Sequence, residues 1–261
     1  MHVGMNEKLN KLESMLKQMK SVAVAYSGGV DSTFLLYEAQ KILGKNAVGV
    51  LNTSPINSTR SIQSARDTAE IIGANVIEIS VLDSRLKMNP HDRCYICKKS
   101  MMSEIKKVAE SLNLNCVAEG SIADDDPSLR PGMKAIEELG ILSPLKDAGL
   151  MKSEIRQMSA EAKLPTADSV SGTCLMTRIP FEEEVNEEKL LAVEKAEEIL
   201  FSLGIINLRV RCHKNLARIE VPCELLEKVT ANRGYICSEF KKLGFKYICL
   251  DLEGYRAGSM D

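Results

Sequence analysis

The chain has 261 residues, a formal net charge of −2 and 44% hydrophobic residues, enough to bury a core of its own in one or two domains. Lysine and arginine are spread along its length, which excludes the large basic field that non-specific nucleic-acid binding requires, so a nucleic-acid partner is not expected. Residues 1–20 are charged and amphipathic with no apolar core for a signal peptide, and no run approaches a membrane span, so the expectation is a cytoplasmic protein with no membrane partner. In that reducing compartment the eight cysteines are read as buried small hydrophobes, metal ligands or reactive thiols rather than disulfides.

In chain order, residues 21–25 (SVAVA) form a run too uniformly apolar for a half-exposed strand, which predicts a central strand of a parallel sheet. A helix is predicted over 33–43, where Phe34, Leu35, Leu36, Ala39, Ile42 and Leu43 form a broad stripe that Gly44 ends. The alternation then repeats: strand 47–51, helix 59–72 behind a Ser58 cap, strand 75–79, helix 98–112, strand 115–119, and a helix near 152–162. Strands alternating with helices imply a doubly wound α/β fold with right-handed crossovers and ligands at the carboxyl ends of the strands. The segment 164–180 has prolines at both ends and no periodicity, which places a domain boundary after residue 180. From Asn186 a charged helix to about Leu203, strands near 208–212 and 216–221, helical stretches to Leu243 and a strand at 246–252 predict a smaller C-terminal α+β domain, 181–261, behind a first domain, 1–180.

Between the first strand and its helix lies Ser27-Gly28-Gly29-Val30-Asp31-Ser32. Two glycines let the backbone approach an anion, and the helix behind them aims free amide N–H groups and its positive dipole end at the same point. A phosphate fits there. Ser27 and Ser32 have hydroxyls to donate, whereas Asp31 cannot bind phosphate directly and suits a bridging Mg²⁺. Neither a Walker A lysine nor a G-x-G-x-x-G pattern is present. The stretch resembles the PP-loop of the ATP pyrophosphatase superfamily, and that resemblance implies cleavage of ATP to AMP and pyrophosphate with Ser27, Gly28, Gly29, Asp31 and Ser32 at the nucleotide.

Cys94 and Cys97 form a C-x-x-C pair in a predicted loop leading into a helix, and Cys174 lies in the irregular linker. Three thiolates from two loops on the same side could hold a 4Fe-4S cluster and leave one iron open to sulfide. Zinc competes, with His91 as the obvious fourth ligand, and so does a purely structural pair. Cys116, Cys223, Cys237 and Cys249 lie in or beside apolar stretches, and core packing is also the expectation for Cys212.

With that loop, Gly120 to Asp125, Leu129-Arg130-Pro131-Gly132, Ser143-Pro144-Leu145, Gly149 to Lys152, the Cys174 to Pro180 segment, Arg209-Val210-Arg211, Ala217 to Glu220 and Asp251 to Arg256 in order, nearly the whole chain resembles the LarE family. The resemblance implies an ATP-dependent sulfurtransferase that adenylates a pyridinium dicarboxylate mononucleotide for the nickel-pincer cofactor and then inserts sulfur. One branch of the family sacrifices a cysteine, leaving dehydroalanine. Another holds a 4Fe-4S cluster on three cysteines and turns over with external sulfide, and Cys94, Cys97 and Cys174 match it. The resemblance also implies phosphate binding at Thr177, Arg209 and Arg211, a sulfide or sulfur-donor partner, and a homo-oligomer. On a strand Arg209 and Arg211 share a face, and guanidinium forks suit phosphate. The chain departs from the family at Ser128-Leu129, where Asp-Tyr is usual, and at Phe181-Glu182-Glu183, where Tyr-Gly-Thr is usual.

The competing functions are a PP-loop tRNA thiolase with a 4Fe-4S cluster, an amidating enzyme related to GMP or NAD synthetase, and a non-catalytic ATP-binding or metal-storage module. Near-neutral charge and the lack of an added RNA-binding module stand against the first, and the three loop cysteines against the second.

Overall fold

A computed structural model describes residues 2–126, 131–169 and 172–256, so Ser128, Leu129, Arg130 and Ser171 lie outside the described residues. The chain forms two compact units, Met1–Asp83 with Asp92–Gly172, and Ser84–His91 with Thr173–Asp261.

The first unit contains α1 (His2–Met19), β1 (Val22–Tyr26), α2 (Val30–Leu43), β2 (Ala47–Asn52), α3 (Thr59–Ile71), β3 (Asn75–Ile79), α4 (Arg93–Ser111), β4 (Cys116–Ala118), α5 (Gly132–Leu139), α6 (Pro144–Asp147) and α7 (Lys152–Glu161). Its four strands pair in the order β3-β2-β1-β4, all parallel, the α/β architecture expected from the sequence. Alternate side chains of a strand face opposite layers. Val22 and Val24 of β1 accordingly join a core with Phe34, Leu35 and Leu36 of α2, Leu12 and Leu16 of α1 and Ile155 of α7. Ala23, between them, faces the other layer with Met102 and Ile105 of α4 and Ile136 of α5. Helices on both faces explain why β1 and β2 read as unbroken apolar runs.

Two helices begin earlier than their sequence periodicity indicates. α2 starts at Val30 instead of residue 33, and α4 at Arg93 instead of residue 98. The extra turn of α4 closes because Tyr95 N and Ile96 N both donate to Asp92 O, at 2.9 and 3.1 Å, while Ile96 is buried. Cys94 and Cys97 are therefore in the first turn of a helix and not in a loop before it.

The second unit contains α8 (Glu187–Ser202), β5 (Arg209–His213), β6 (Leu216–Glu220), α9 (Leu226–Ala231), α10 (Arg233–Lys242) and β7 (Tyr247–Leu250). β5 and β6 are antiparallel and β7 adds parallel to β6, making the small α+β unit expected. Asn186 caps α8 by accepting from Lys189 N at 2.9 Å, and Glu187 and Glu188 sit in the first turn, where the helix dipole favours negative charge. The segment Ser84–His91 joins this unit through Asn89. Its buried side-chain amide donates to Ile179 O at 2.7 Å and Pro180 O at 2.9 Å, and its backbone adopts φ +45°, which asparagine tolerates better than most residues.

Among the described residues of this unit, Arg178–Glu197 and Arg211–Glu220 pair with both partners buried. Arg178 Nε donates to Glu197 Oε1 at 2.9 Å and Nη2 to Oε2 at 3.1 Å. Arg211 Nε and Nη2 both donate to Glu220 Oε2, at 3.0 and 2.8 Å. Glu197 Oε1 also accepts from Val210 N at 3.0 Å, so it ties the 3-10 turn Leu175–Arg178 to β5. Glu197→Ala is expected to lower stability by about 3–5 kcal/mol, because it leaves the Arg178 charge buried without its partner. Denaturant unfolding measures this, and adding Arg178→Met should recover part of the loss.

Candidate functional site

The loop after β1 is shaped by main chain and small side chains. Burial pushes the Tyr26 phenol up to about 12, so it stays protonated and donates to Ala65 O on α3 at 2.8 Å. Gly28 follows with φ +73°, and a Cβ there would lie 2.6 Å from the Ala65 Cβ. Only glycine meets both conditions. Ser27 Oγ and Ser32 Oγ stand 3.0 Å apart, and Ser32 Oγ also accepts from Ser27 N at 3.2 Å. Gly29, in an extended conformation, occupies the N-cap of α2 with no side chain capping the helix. Amide N–H groups at the start of α2 thus keep their affinity for an anion.

Asp31 projects from the first turn of α2. Its Oδ2 accepts from Lys152 Nζ at 2.6 Å, while its Oδ1 is buried without a hydrogen-bond partner. A buried carboxylate oxygen in that state suits a cation, so the residues present fit Mg²⁺ beside a phosphate. Lys152 is the first residue of α7, and its backbone N donates to Asp124 Oδ1 at 3.0 Å. A lysine at a helix N-terminus opposes the dipole, and that mismatch is the sequence signal that could have singled it out.

The carboxyl end of β4 reaches the same loop. A Cβ on Gly120 would stand 3.0 Å from Ser32 N and 3.2 Å from Ser32 Cα, so the two backbones touch. Cys94 is exposed and Cys97 half-buried, and no disulfide joins any of the cysteines among the described residues. At i and i+3 near the start of α4 the pair shares a helix face. That pair suits the chemistry of a thiolate-ligated group. Cys94 and Cys97 belong to the first unit and Cys174 to the second, and among the described residues no three His, Cys, Asp or Glu side chains form a metal-binding group. His91, the fourth ligand of the zinc alternative, stacks on Phe181 with ring centroids 4.3 Å apart.

In the second unit Thr177 Oγ1 donates to Cys174 O at 2.9 Å and accepts from Arg178 Nη1 at 2.9 Å. Arg209 and Arg211 share a face of β5, as their spacing indicates, but their settings differ. Arg211 is buried, held by Glu220 and donating from Nη1 to Thr177 O at 2.8 Å. Arg209 places its guanidinium 5.0 Å from the centre of the Tyr255 ring and donates to Leu208 O at 2.7 Å. Burial, and then repulsion from Arg178 and Arg211, lowers its pKa against the opposing pull of Tyr255 and Glu197. A bound anion would relieve that repulsion. Tyr255, Glu197 and Glu220 carry this arrangement, and none stands out in the sequence because each partner is remote along the chain.

A model of the NAD synthase family matches residues 5–110, the part that carries the glycine loop. The pyridinium-3,5-bisthiocarboxylic acid mononucleotide synthase of Lactiplantibacillus plantarum is 33% identical over 96% of this chain and 92% of its own length. Uncharacterized proteins of Synechocystis sp. and Methanocaldococcus jannaschii are 36% and 34% identical, over 98% and 96% of this chain and 98% of their own length in both cases.

The packing of the loop on α3 gives a direct test. Gly28→Ala is expected to cost about 1–3 kcal/mol, the range for forcing extra volume into a packed site. Thermal or denaturant unfolding should show the loss, and adding Ala65→Gly should recover only part of it, because the positive φ of residue 28 remains strained for alanine.

Proposed function

Given that this chain belongs to the LarE family of PP-loop enzymes, we propose that it is an ATP-dependent sulfurtransferase acting on a pyridinium dicarboxylate mononucleotide. One observation carries the reading most directly: Asp31, behind an uncapped glycine loop, has a buried carboxylate oxygen without a partner. In the proposed reaction a carboxylate oxygen of the acceptor attacks the α-phosphate of ATP, and pyrophosphate leaves with the electrons of the α–β bridging bond. The resulting acyl adenylate is then attacked by sulfur at its carbonyl carbon. AMP departs and a thiocarboxylate remains.

The chain's own groups divide this work. The amides behind Gly28 and Gly29, with the Ser27 and Ser32 hydroxyls, hold phosphate oxygens. Asp31 would hold a Mg²⁺, which when bound would supply positive charge beside the phosphates. Lys152, whose ammonium lies 2.6 Å from Asp31 Oδ2, is a further cation for phosphate oxygens at the same place. Thr177, Arg209 and Arg211 are assigned to the acceptor's phosphate. Arg209 is the strongest of the three on physical grounds, since its charge lies half-buried among other arginines.

Sulfur delivery is assigned to Cys94, Cys97 and Cys174 as ligands of a 4Fe-4S cluster, which when bound would supply an iron site for the incoming sulfide. The paired thiols on α4 and the family's cluster-bearing branch support this assignment. The sulfur itself comes from inorganic sulfide or a donor protein. A cytoplasmic location and a homo-oligomeric assembly complete the proposal.

Asp31→Ala should lower acceptor-dependent pyrophosphate release by ~10²-fold or more, the scale for removing charge stabilisation from a transition state, with the fold retained. Unchanged release would remove Asp31 from the metal. Intact-protein mass spectrometry after turnover with sulfide tests the sulfur source. The mass should stay constant while replacement of any one of the three cysteines by alanine abolishes sulfur transfer. An active protein that loses one sulfur at position 174 would instead identify Cys174 as the sacrificed donor.

A further inference from the structure

Glu119 is the first residue beyond β4, and its side chain is 4% exposed. Its Oε1 accepts from Ser121 N at 3.0 Å and from Ser143 Oγ at 2.7 Å. Its Oε2 accepts from Lys98 Nζ at 3.2 Å. Burial opposes ionisation, but the Lys98 charge and the hydrogen bonds from Ser121 and Ser143 outweigh it and leave the carboxyl below its ordinary range. Glu119 is thus a fixed negative charge at the carboxyl end of the central sheet.

Two parts of the first unit are attached to that charge. On one side is Gly120, which packs so close to Ser32 of the phosphate loop that an added Cβ would stand 3.0 Å from Ser32 N and force a small shift. On the other is Lys98, the residue after Cys97 and one helical turn beyond Cys94. The Lys98 side chain is 30% exposed, so its ammonium could have stayed in water. Instead it reaches a buried carboxylate, and its Cβ and Cγ would each stand 3.4 Å from a Cβ on Gly132, at the start of α5. The same α5 is clipped to the cysteine turn by Tyr95, whose hydroxyl donates to Glu138 Oε2 at 2.7 Å. The turn bearing both thiols is therefore held at the sheet end by a charge and along its side by a helix.

We infer that Lys98 and Glu119 are positioning residues that tie the cysteine turn of α4 to the phosphate loop, so that nucleotide binding at the loop alters the exposure of Cys94 and Cys97. The inference rests on the reading of that loop as a nucleotide site. An anion entering the loop draws the Ser27 and Ser32 hydroxyls and the α2 amides toward itself. Ser32 packs close to Gly120, since a Cβ there would stand 3.0 Å from Ser32 N, so a shift of Ser32 toward Gly120 presses on it. Glu119 moves with Gly120, and Lys98 follows its carboxylate. Enzyme chemistry gains from this arrangement, since the thiol side becomes responsive only when ATP is in place.

The test uses the full chain, reduced and treated with chelator so that the thiols are free, with Mg²⁺ and α,β-methylene ATP as the uncleavable nucleotide. Iodoacetamide labelling of each cysteine is followed by peptide mass spectrometry, and nucleotide affinity is measured in parallel by calorimetry. Nucleotide should change the labelling rates of Cys94 and Cys97 by about fivefold or more, within the usual range for coupled sites, and leave Cys223 and Cys249 unchanged. Glu119→Gln and Lys98→Met should each still bind the nucleotide but lose the response at Cys94 and Cys97, and Lys98→Arg should restore it. Lys98→Met decides the matter if Glu119→Gln folds poorly. Variants that bind nucleotide and respond like the parent would overturn the inference, as would a parent that binds nucleotide with no change at either thiol. A parent that binds no nucleotide would overturn the reading of the loop, and this inference with it.

Discussion

The phosphate loop depends on the absence of a Cβ at two places. Gly28 lies against Ala65 on one side, and Gly120 lies against Ser32 on the other. These close approaches pack the loop against α3 on one side and the end of β4 on the other, so that a shift of the loop is felt by both. The serine pair at 3.0 Å adds hydroxyls that can turn to a ligand by rotation about a single bond. Where a side-chain cap would ordinarily satisfy the first turn of a helix, α2 has glycine. A bound anion would take the part that the cap would have played.

The second unit uses charge differently. Arg178 and Arg211 are each clasped by a buried glutamate, and Arg218 shares Glu220 with Arg211. Such pairs are weak evidence for net stability, since desolvation offsets most of their attraction. Their effect here is geometric. Glu197 joins Arg178 to Val210 N, and Arg211 joins Glu220 to Thr177 O, so the turn Leu175–Arg178 is anchored to β5 twice. Arg209 is left facing an aromatic ring, which attracts its charge without neutralising it.

Features fixed by near neighbours in the chain were legible in the sequence. The apolar run of β1, the two glycines behind it and the stripe of α2 lie within a few turns of one another, and together they declare a strand, a glycine turn and a helix. The start of α4 was not legible, because its extra turn closes on Asp92 O and a buried Ile96 among polar neighbours. Arg211 reads as a basic residue on a strand until the register of β5 on β6 brings Glu220 beside it. Lys152 is remote from Asp31 in sequence, and only the folded sheet makes them a pair. Cys94 and Cys97 are near neighbours on α4, whereas Cys174, grouped with them by the family resemblance, belongs to the other unit.

The segment Ser84–His91 has a consequence for the order in which the chain is made. It leaves the first unit between β3 and α4 and belongs to a unit whose other residues begin at Thr173. During synthesis, β1 to β4 can emerge and pair while the carbonyls of Ile179 and Pro180 that satisfy Asn89 do not yet exist. Until they appear, the crossover from β3 to α4 must keep Asn89 in water. A nascent chain can therefore assemble its nucleotide loop early, but the connection leading into the cysteine turn is completed only after ribosomes have passed the end of the first unit.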